Sequence, residues 1–316
     1  MKQKNHETIK TVVGRGICTG CGTCIAICPD QALSLTLDQR KGIYVPAIKA
    51  HECTGCGLCV KACPGHEVDF RRLNQDIFHA DQVDAILGHH KACYYGHALD
   101  KGIRHSGASG GIVTSLLIYL LEERIIDGAL VTRMKESSPL EPEPFIARTA
   151  EEITSAAESK YCPVPANVAL KEILEVEGNY AVVGLPCHIH GIRKAAQINS
   201  TIRNRIALHI GLFCGHNPSF RATEFLLWRH GLCREEVSAV KYRSGGWPGG
   251  LTFQLAGGGN VFIPYQRVWE SLDLAFTPRR CLECFDGAAE LADISFGDAW
   301  LPEFAEDKKG LSLIHI

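Results

Sequence analysis

Apolar positions recur along this chain in two different rhythms. Up to about Phe70 they come in short groups set between glycines and cysteines, and two of these, Ala32 to Leu37 and Gly42 to Ile48, read as short strands around a Gln39-Arg40-Lys41-Gly42 turn. Arg71 to His90 is mostly polar and reads as an amphipathic helix or a linker, which puts a domain boundary there. From about Ala92 onward, apolar helical stretches alternate with short strand-like runs at Asp127 to Thr132, Tyr180 to Gly184 and Ile206 to Phe213. That alternation predicts a mixed α/β body. Thr149 with Glu152 has the spacing of a capping box, and Asn217-Pro218 reads as the start of a helix that runs through Trp228 to a glycine stop at Gly231.

Composition narrows the class. The 316 residues carry 33 basic and 35 acidic side chains, so there is no basic surplus to imply a nucleic-acid partner. The polar start, Met1 to Lys10, has no apolar core behind it, and the longest apolar run, Ile112 to Leu121, is interrupted by Thr114 and Ser115. A transmembrane segment and a secretion signal are therefore not expected, and the expected location is cytoplasmic. In that compartment 15 cysteines would stay reduced, so they need a reason other than disulfides.

The spacing supplies one. Cys18, Cys21, Cys24 and Cys28-Pro29 form one run, and Cys53, Cys56, Cys59 and Cys63-Pro64 repeat it 35 residues later. Each run fits the pattern of bacterial two-cluster ferredoxins, in which three close thiolates hold one 4Fe-4S cubane and the fourth reaches the other. Cluster one would take Cys18, Cys21, Cys24 and Cys63; cluster two would take Cys53, Cys56, Cys59 and Cys28. Gly20, Gly22, Gly55 and Gly57 let each loop curl and aim amides at cluster sulfur. Zinc usually asks for two separated pairs, not four cysteines in one short run. The chain thus reads as α+β: a small two-cluster ferredoxin domain over residues 8–70, a linker over 71–91, and a larger mixed α/β body.

Four later cysteines invite a similar reading. Cys187 and Cys214 each follow a predicted strand, and Cys281 and Cys284 form a Cys-x-x-Cys pair. If the two strands are parallel neighbours, their ends meet at the sheet edge where open α/β folds bind ligands. A third 4Fe-4S cluster, a structural zinc, or two buried thiols beside an unrelated redox pair all fit this spacing. Cys93, Cys162 and Cys233 lack partner spacing and read as buried apolar thiols. His188 and His190, in strand geometry, would share a face and line a cleft more readily than ligate metal. Ser106 to Gly111 runs straight into the apolar helix at Ile112; it is either a phosphate-binding turn or an ordinary helix start capped by Ser109. Arg243, in a turn-rich aromatic segment, either holds an anionic cofactor group or is solvated. Asp293 and Asp298 read as caps or as cofactor neighbours and form no recognisable catalytic pair.

Taken in order, Arg104 to Gly111, Ser159-Lys160-Tyr161, Gly184 to Cys187, Gly211 to Cys214, Tyr242-Arg243 with Gly246 to Gly249, Cys281 to Cys284 and Ala292 to Trp300 resemble the coenzyme F420 hydrogenase/dehydrogenase beta-subunit family. The resemblance implies a flavin-binding region over 92–175 and a family C-terminal region over 176–316, truncated because the family continues beyond Ile316. It implies FAD, with Ser109, Gly110, Gly111 and Lys160 as phosphate contacts, and a third cluster on Cys187, Cys214, Cys281 and Cys284. It further implies hydride exchange with coenzyme F420 and single-electron passage to a redox partner protein: a hydrogenase, dehydrogenase or reductase subunit, or a ferredoxin. No catalytic side chain is assigned. Two alternatives stand beside this: a ferredoxin-dependent reductase of another organic substrate, and a flavin-free electron-transfer adaptor.

Overall fold

The computed structural model describes residues 8–81, 83–84 and 86–316. In the cysteine-rich module, β1 (Leu33–Asp38) and β2 (Ile43–Ile48) form an antiparallel hairpin. Asp38 shapes its turn by accepting from the amides of Arg40 and Lys41 at 3.0 and 3.1 Å, and Gly42 takes the left-handed conformation (φ +64°) that closes it. The hairpin tip rests on the body: Phe220 N donates to the Gly42 carbonyl at 2.8 Å, and Tyr44 meets Phe220 edge-on at 5.3 Å.

The stretch after the module is helical where it begins. Phe70–Phe78 is a helix capped by Asp69, which accepts from Arg72 N. Its Leu73 packs with Ile189 and Leu291 of the body, so this part of the expected linker is a docked amphipathic element, and His79 (φ +55°) ends it.

The body is built on a seven-stranded sheet. Its strands are β3 (Cys93–Gly96), β4 (Gly128–Met134), β5 (Pro142–Ala147), β6 (Tyr180–Gly184), β7 (Ile206–Leu212), and, beyond a separate three-stranded antiparallel sheet of β8 (Val237–Ser244), β9 (Gly250–Leu255) and β10 (Asn260–Pro264), β11 (Ile294–Asp298) and β12 (Ser312–His315). The order across the large sheet is β3-β12-β11-β7-β6-β4-β5, with β4, β6, β7 and β11 parallel and the outer strands antiparallel. The parallel strands are apolar on both faces, as covered strands must be: Leu130, Ala181, Val182 and Ile210 are all fully buried. Among the described residues, no helix is long and apolar enough to cross a membrane.

Several local expectations need correction. The helix expected from Asn217-Pro218 is Phe220–Arg229 with Ser219 at its N-cap; Asn217 lies in the preceding extended loop, donating to the Cys162 carbonyl at 2.9 Å. His188 and His190 lie on a helix, Pro186–Ile198, because Pro186 at its first position starts the helix two residues after β6 ends. The cap of the Ile112–Glu122 helix is Gly111 (φ +73°) and not Ser109. Of the three cysteines expected to be buried, only Cys162 is; Cys93 is exposed on an edge strand, and Cys233 is exposed with its thiol donating to Glu236 at 3.1 Å.

Candidate functional site

The sheet register creates the site. Val183 pairs with Ile210 and Gly184 with Gly211 in parallel β6 and β7, so Cys187 and Cys214 leave the same sheet edge. Cys214 is held there by its amide, which donates to Gly287 O at 2.9 Å, and Cys284 N closes a turn onto Cys281 O at 3.2 Å. All four thiols line one cavity of about 60 Å³ together with Pro186, His188 and Asp286. Burial pushes the Cys187 thiol well above its ordinary pKa, and the neighbouring cysteines push further. Burial likewise drives Cys214 up to about 12, with Cys281 and Cys284 adding to it. A bound cation would favour the thiolate form of such thiols. Among the described residues, no three His, Cys, Asp or Glu side chains converge on a single point as if to grip one ion; the four thiols stand around a shared space.

The far wall of this cavity belongs to the cysteine-rich module, through Cys18, Thr19, Gly20 and Pro64. Immediately behind that wall a smaller cavity of about 10 Å³ is lined by Cys18, Cys21, Cys24 and Cys63. These are the four cysteines that the crossed pattern groups, with Cys63 arriving from the second run. Burial raises Cys18 to about 11 and Cys63 to about 12, and it raises Cys24 beyond both. Cys59 senses Cys56 and Cys28 as its thiol neighbours, while Cys53 and Cys56 are exposed.

The duplicated loops sit in unequal surroundings. A Cβ on Gly22 would fall 2.7 Å from Val168 Cγ1 and 3.0 Å from Val168 N, whereas around Gly55 and Gly57 a Cβ would meet nothing. The first loop is pressed into the body; the second faces solvent.

The other sequence motifs converge on Arg243, which is 2% exposed. Its guanidinium pairs with Asp298 at 3.2 Å, donates to Tyr161 Oη at 3.0 Å and to the Ala108 carbonyl, and lies 4.6 Å over the Tyr265 ring. Trp247 Nε1 donates to the same Asp298 at 2.7 Å, and Trp247 and Tyr265 both pack on Trp300. Arg243 is thus neither solvated nor a free anion receptor. It ties the glycine-rich turn at Ala108 to the Lys160-Tyr161 segment, and its buried Nε has no hydrogen-bond partner among the described residues.

The residues expected to contact a flavin are placed unevenly. No side chain caps the Ile112–Glu122 helix, so its N-terminal amides and dipole fit an anionic group. Ser109 Oγ and Gly110 N both face Ser312 Oγ at 3.1 Å, and a Cβ on Gly110 would lie 2.7 Å from Gly96 O; β12 is thereby packed against the turn, a contact with no local sequence signal. Lys160 Nζ curls back onto the carbonyls of Ala156, Ala157 and Glu158 at 2.6, 2.6 and 3.0 Å. Burial lowers its pKa to about 8, so it serves first as a cap for the helix that ends there.

Both nitrogens of His188 are engaged: Nδ1 accepts from Leu185 N at 3.1 Å and Nε2 donates to Val164 O at 2.9 Å. Burial lowers its pKa to about 4, so it is a neutral brace for the turn that carries Cys187. His190 Nε2 instead meets Asp286 at 2.7 Å. Sequence reasoning did not single out Asp286, two residues after Cys284, whose side-chain carboxylate also accepts from Ala288 N and Glu290 N at 3.1 and 3.3 Å.

Comparison with known proteins places these features in context. A family model for the C terminus of the coenzyme F420 hydrogenase/dehydrogenase beta chain matches residues 177–316, and the corresponding N-terminal model matches 93–171. A 4Fe-4S dicluster domain model matches 17–66. The coenzyme F420 hydrogenase subunit beta of Methanothermobacter thermautotrophicus is 30% identical over 228 residues, 69% of this chain and 76% of that protein. Its counterpart from Methanosarcina barkeri is 29% identical over 238 residues, 72% and 78% of the two chains. The coenzyme F420-dependent sulfite reductase of Methanocaldococcus jannaschii is 27% identical over 310 residues, 93% of this chain but 44% of that protein. A chain of the xenon-derivatized F420-reducing [NiFe] hydrogenase complex from Methanosarcina barkeri superposes with a TM-score of 0.56 at 27% identity, covering 74% of this chain and 77% of that one.

Proposed function

Because the chain belongs to the coenzyme F420 hydrogenase/dehydrogenase beta-subunit family, as an iron-sulfur oxidoreductase of it, we propose that it exchanges a hydride between coenzyme F420 and FAD and passes electrons one at a time to a redox partner protein. The observation that carries this is the cavity shared by the two halves: Cys187, Cys214, Cys281 and Cys284 form one wall and Cys18 the other. Three 4Fe-4S sites would then stand in series. The body cysteines hold the first, Cys18, Cys21, Cys24 and Cys63 the second, and Cys53, Cys56, Cys59 and Cys28 the third.

FAD, when bound, supplies the conversion between a two-electron hydride and one-electron cluster chemistry. The chain's share is placement. The N-terminus of the Ile112–Glu122 helix would hold the cofactor's phosphates alongside Ser109, Gly110 and Gly111; Lys160 would reach them only by leaving its carbonyls. Arg243 holds the two phosphate-side segments together, and the Trp247, Tyr265 and Trp300 rings offer aromatic faces. Cys187 and Cys214, both half-buried, would limit water around a cluster held there and so tune its potential. Exposure of Cys53 and Cys56 makes the outer loop the exit toward the partner. The likeness to a chain of a hydrogenase complex favours a hydrogenase-type partner; the likeness to a sulfite reductase over nearly this whole chain favours a reductase module as the alternative.

The test is anaerobic quantification on reconstituted protein. The reading expects about 12 iron, about 12 sulfide and one FAD per chain, with cluster reduction by reduced F420 and not by NADH or NADPH. About 8 iron without flavin would leave an electron-transfer adaptor, and reduction by ferredoxin alone would turn the assignment toward a ferredoxin-dependent reductase.

A further inference from the structure

The two cysteine loops of the module repeat each other almost residue for residue, Cys-Thr-Gly-Cys-Gly-x-Cys, and part at one interior position: Thr23 in the first, Leu58 in the second. Thr23 is fully buried, and its Oγ1 lies 3.2 Å from Cys21 Sγ. Behind it stands Asn167, a fully buried residue of the body, whose Nδ2 donates to Thr23 Oγ1 at 2.7 Å and to the His188 carbonyl at 2.9 Å. The His188 carbonyl can only accept, so the amide orientation is set: the NH₂ faces both partners. Thr23 Oγ1 therefore already accepts a proton from Asn167, and its own hydroxyl proton is left for the Cys21 sulfur. A cysteine that ligates iron as a thiolate has no proton of its own and can only accept.

The body is shaped to admit this contact. A Cβ on Gly191 of the Pro186–Ile198 helix would lie 2.2 Å from Thr23 Oγ1 and 3.0 Å from Asn167 Nδ2. Asn167 is also fastened to the loop by its backbone, Asn167 N donating to Cys21 O at 2.9 Å. In the second loop Leu58 offers no hydroxyl, and a Cβ on the flanking Gly57 would meet open space, with no described residue of the body packed against it there.

We propose that Asn167 and Thr23 form a hydrogen-bond relay from the body that raises the reduction potential of the cluster on Cys18, Cys21, Cys24 and Cys63, a contribution its duplicate lacks. Hydrogen bonds to cluster sulfur favour the more negative, reduced state. The relay would thus act on the inner site alone, adding a hydrogen bond to the difference in burial that already separates the two loops. Asn167 and Thr23 are positioning residues in this scheme, and the inference rests on the cluster assignment above.

The experiment is an anaerobic EPR redox titration of the full, reconstituted chain with iron counting, comparing wild type, Thr23→Val and Thr23→Ser. In Thr23→Val one midpoint falls so that the reduced-to-oxidised ratio of that cluster drops about tenfold at a fixed potential, about 59 mV for one electron; the other midpoints stay, and Thr23→Ser returns the value toward wild type. Thr23→Ala, which removes the hydroxyl without added bulk, serves if the valine variant does not assemble. Full iron content with unmoved midpoints in the variants overturns the relay while leaving the clusters in place. Wild-type protein that lacks the module's iron overturns the cluster assignment and the relay with it.

Discussion

Cys187 and Cys214 each lie three residues beyond a directly paired couple, Gly184 and Gly211, at the end of adjacent parallel strands. The equal offset brings two thiols from distant parts of the sequence to one sheet edge, and the Cys281–Cys284 turn completes the ring around the cavity. Replacing Cys187 by serine removes one of the four ligands proposed for the body cluster and leaves the module's eight cysteines untouched. Iron should fall from about 12 to about 8 per chain. Any bound flavin should still be reduced by donor while the module's clusters stay oxidised. Full reduction of those clusters in Cys187→Ser would remove the body cluster from the electron path.

Gly22 and Gly57 occupy matching positions with nearly the same backbone, φ +86° and +75°. Alanine at either site carries a left-handed penalty of about 1–2 kcal/mol. Only Gly22→Ala also drives a methyl into Val168, an overpacking that adds about 1–3 kcal/mol. Anaerobic denaturant unfolding of the two cluster-loaded variants should therefore show Gly22→Ala distinctly less stable than Gly57→Ala. Equal losses would mean that the module does not pack on the body through its first loop.

Much of this arrangement was legible in the chain itself, and the parts that were not share a physical cause. Cysteine spacing within each run is local, so the two four-cysteine runs could be read directly, as could the β1–β2 turn and strands β6 and β7. The Thr149–Glu152 capping box is present as read. Arg243 was ambiguous because the acid that neutralises it, Asp298, lies 55 residues away, and nothing local marks such a pair. The same holds for Ser312 against Gly110 and for Asp286 against His190. His188 and His190 were misplaced because a two-residue spacing fits a strand, whereas Pro186 starts a helix. The exposure of Cys93 depends on β3 being the outermost strand, a property of sheet order alone.

Asp293 ties β11 to its neighbours: it accepts from His209 N at 2.7 Å and from His209 Nδ1 at 3.0 Å, and pairs with Arg193 at 2.5 Å. Burial alone would raise its pKa, but the His209 hydrogen bonds and the Arg193 charge hold it well below the usual carboxylate range. Burial, with Arg193 beside it, lowers the pKa of His209. Both shifts act in one direction. The depressed carboxylate stabilises the fold above its unfolded pKa of about 4 and loses this as pH falls further; the depressed imidazole stays neutral while the unfolded chain takes up a proton below about 6.5. Asp293→Asn should lose about 2 kcal/mol at pH 7, and the gap to wild type should narrow as pH drops toward and below 4. Tryptophan-monitored denaturation across pH checks this, and a gap that does not change with pH would sink the ionic account.

Arg243 joins the two segments proposed to hold the flavin's phosphates. Lysine at this position keeps one positive charge for Asp298 but lacks the planar fork that reaches Asp298, Tyr161 and the Ala108 carbonyl together. The glycine-rich turn and the Tyr161 segment would then lose their common anchor, while the cysteine cavity, which Arg243 does not line, would keep its shape. Arg243→Lys should therefore assemble its full iron complement yet retain FAD about tenfold more weakly, a change of about 1.4 kcal/mol. Fluorimetric FAD titration beside iron analysis on the same sample separates the two effects. If flavin affinity is unchanged and iron is lost instead, Arg243 supports the cluster body and the flavin must lie elsewhere.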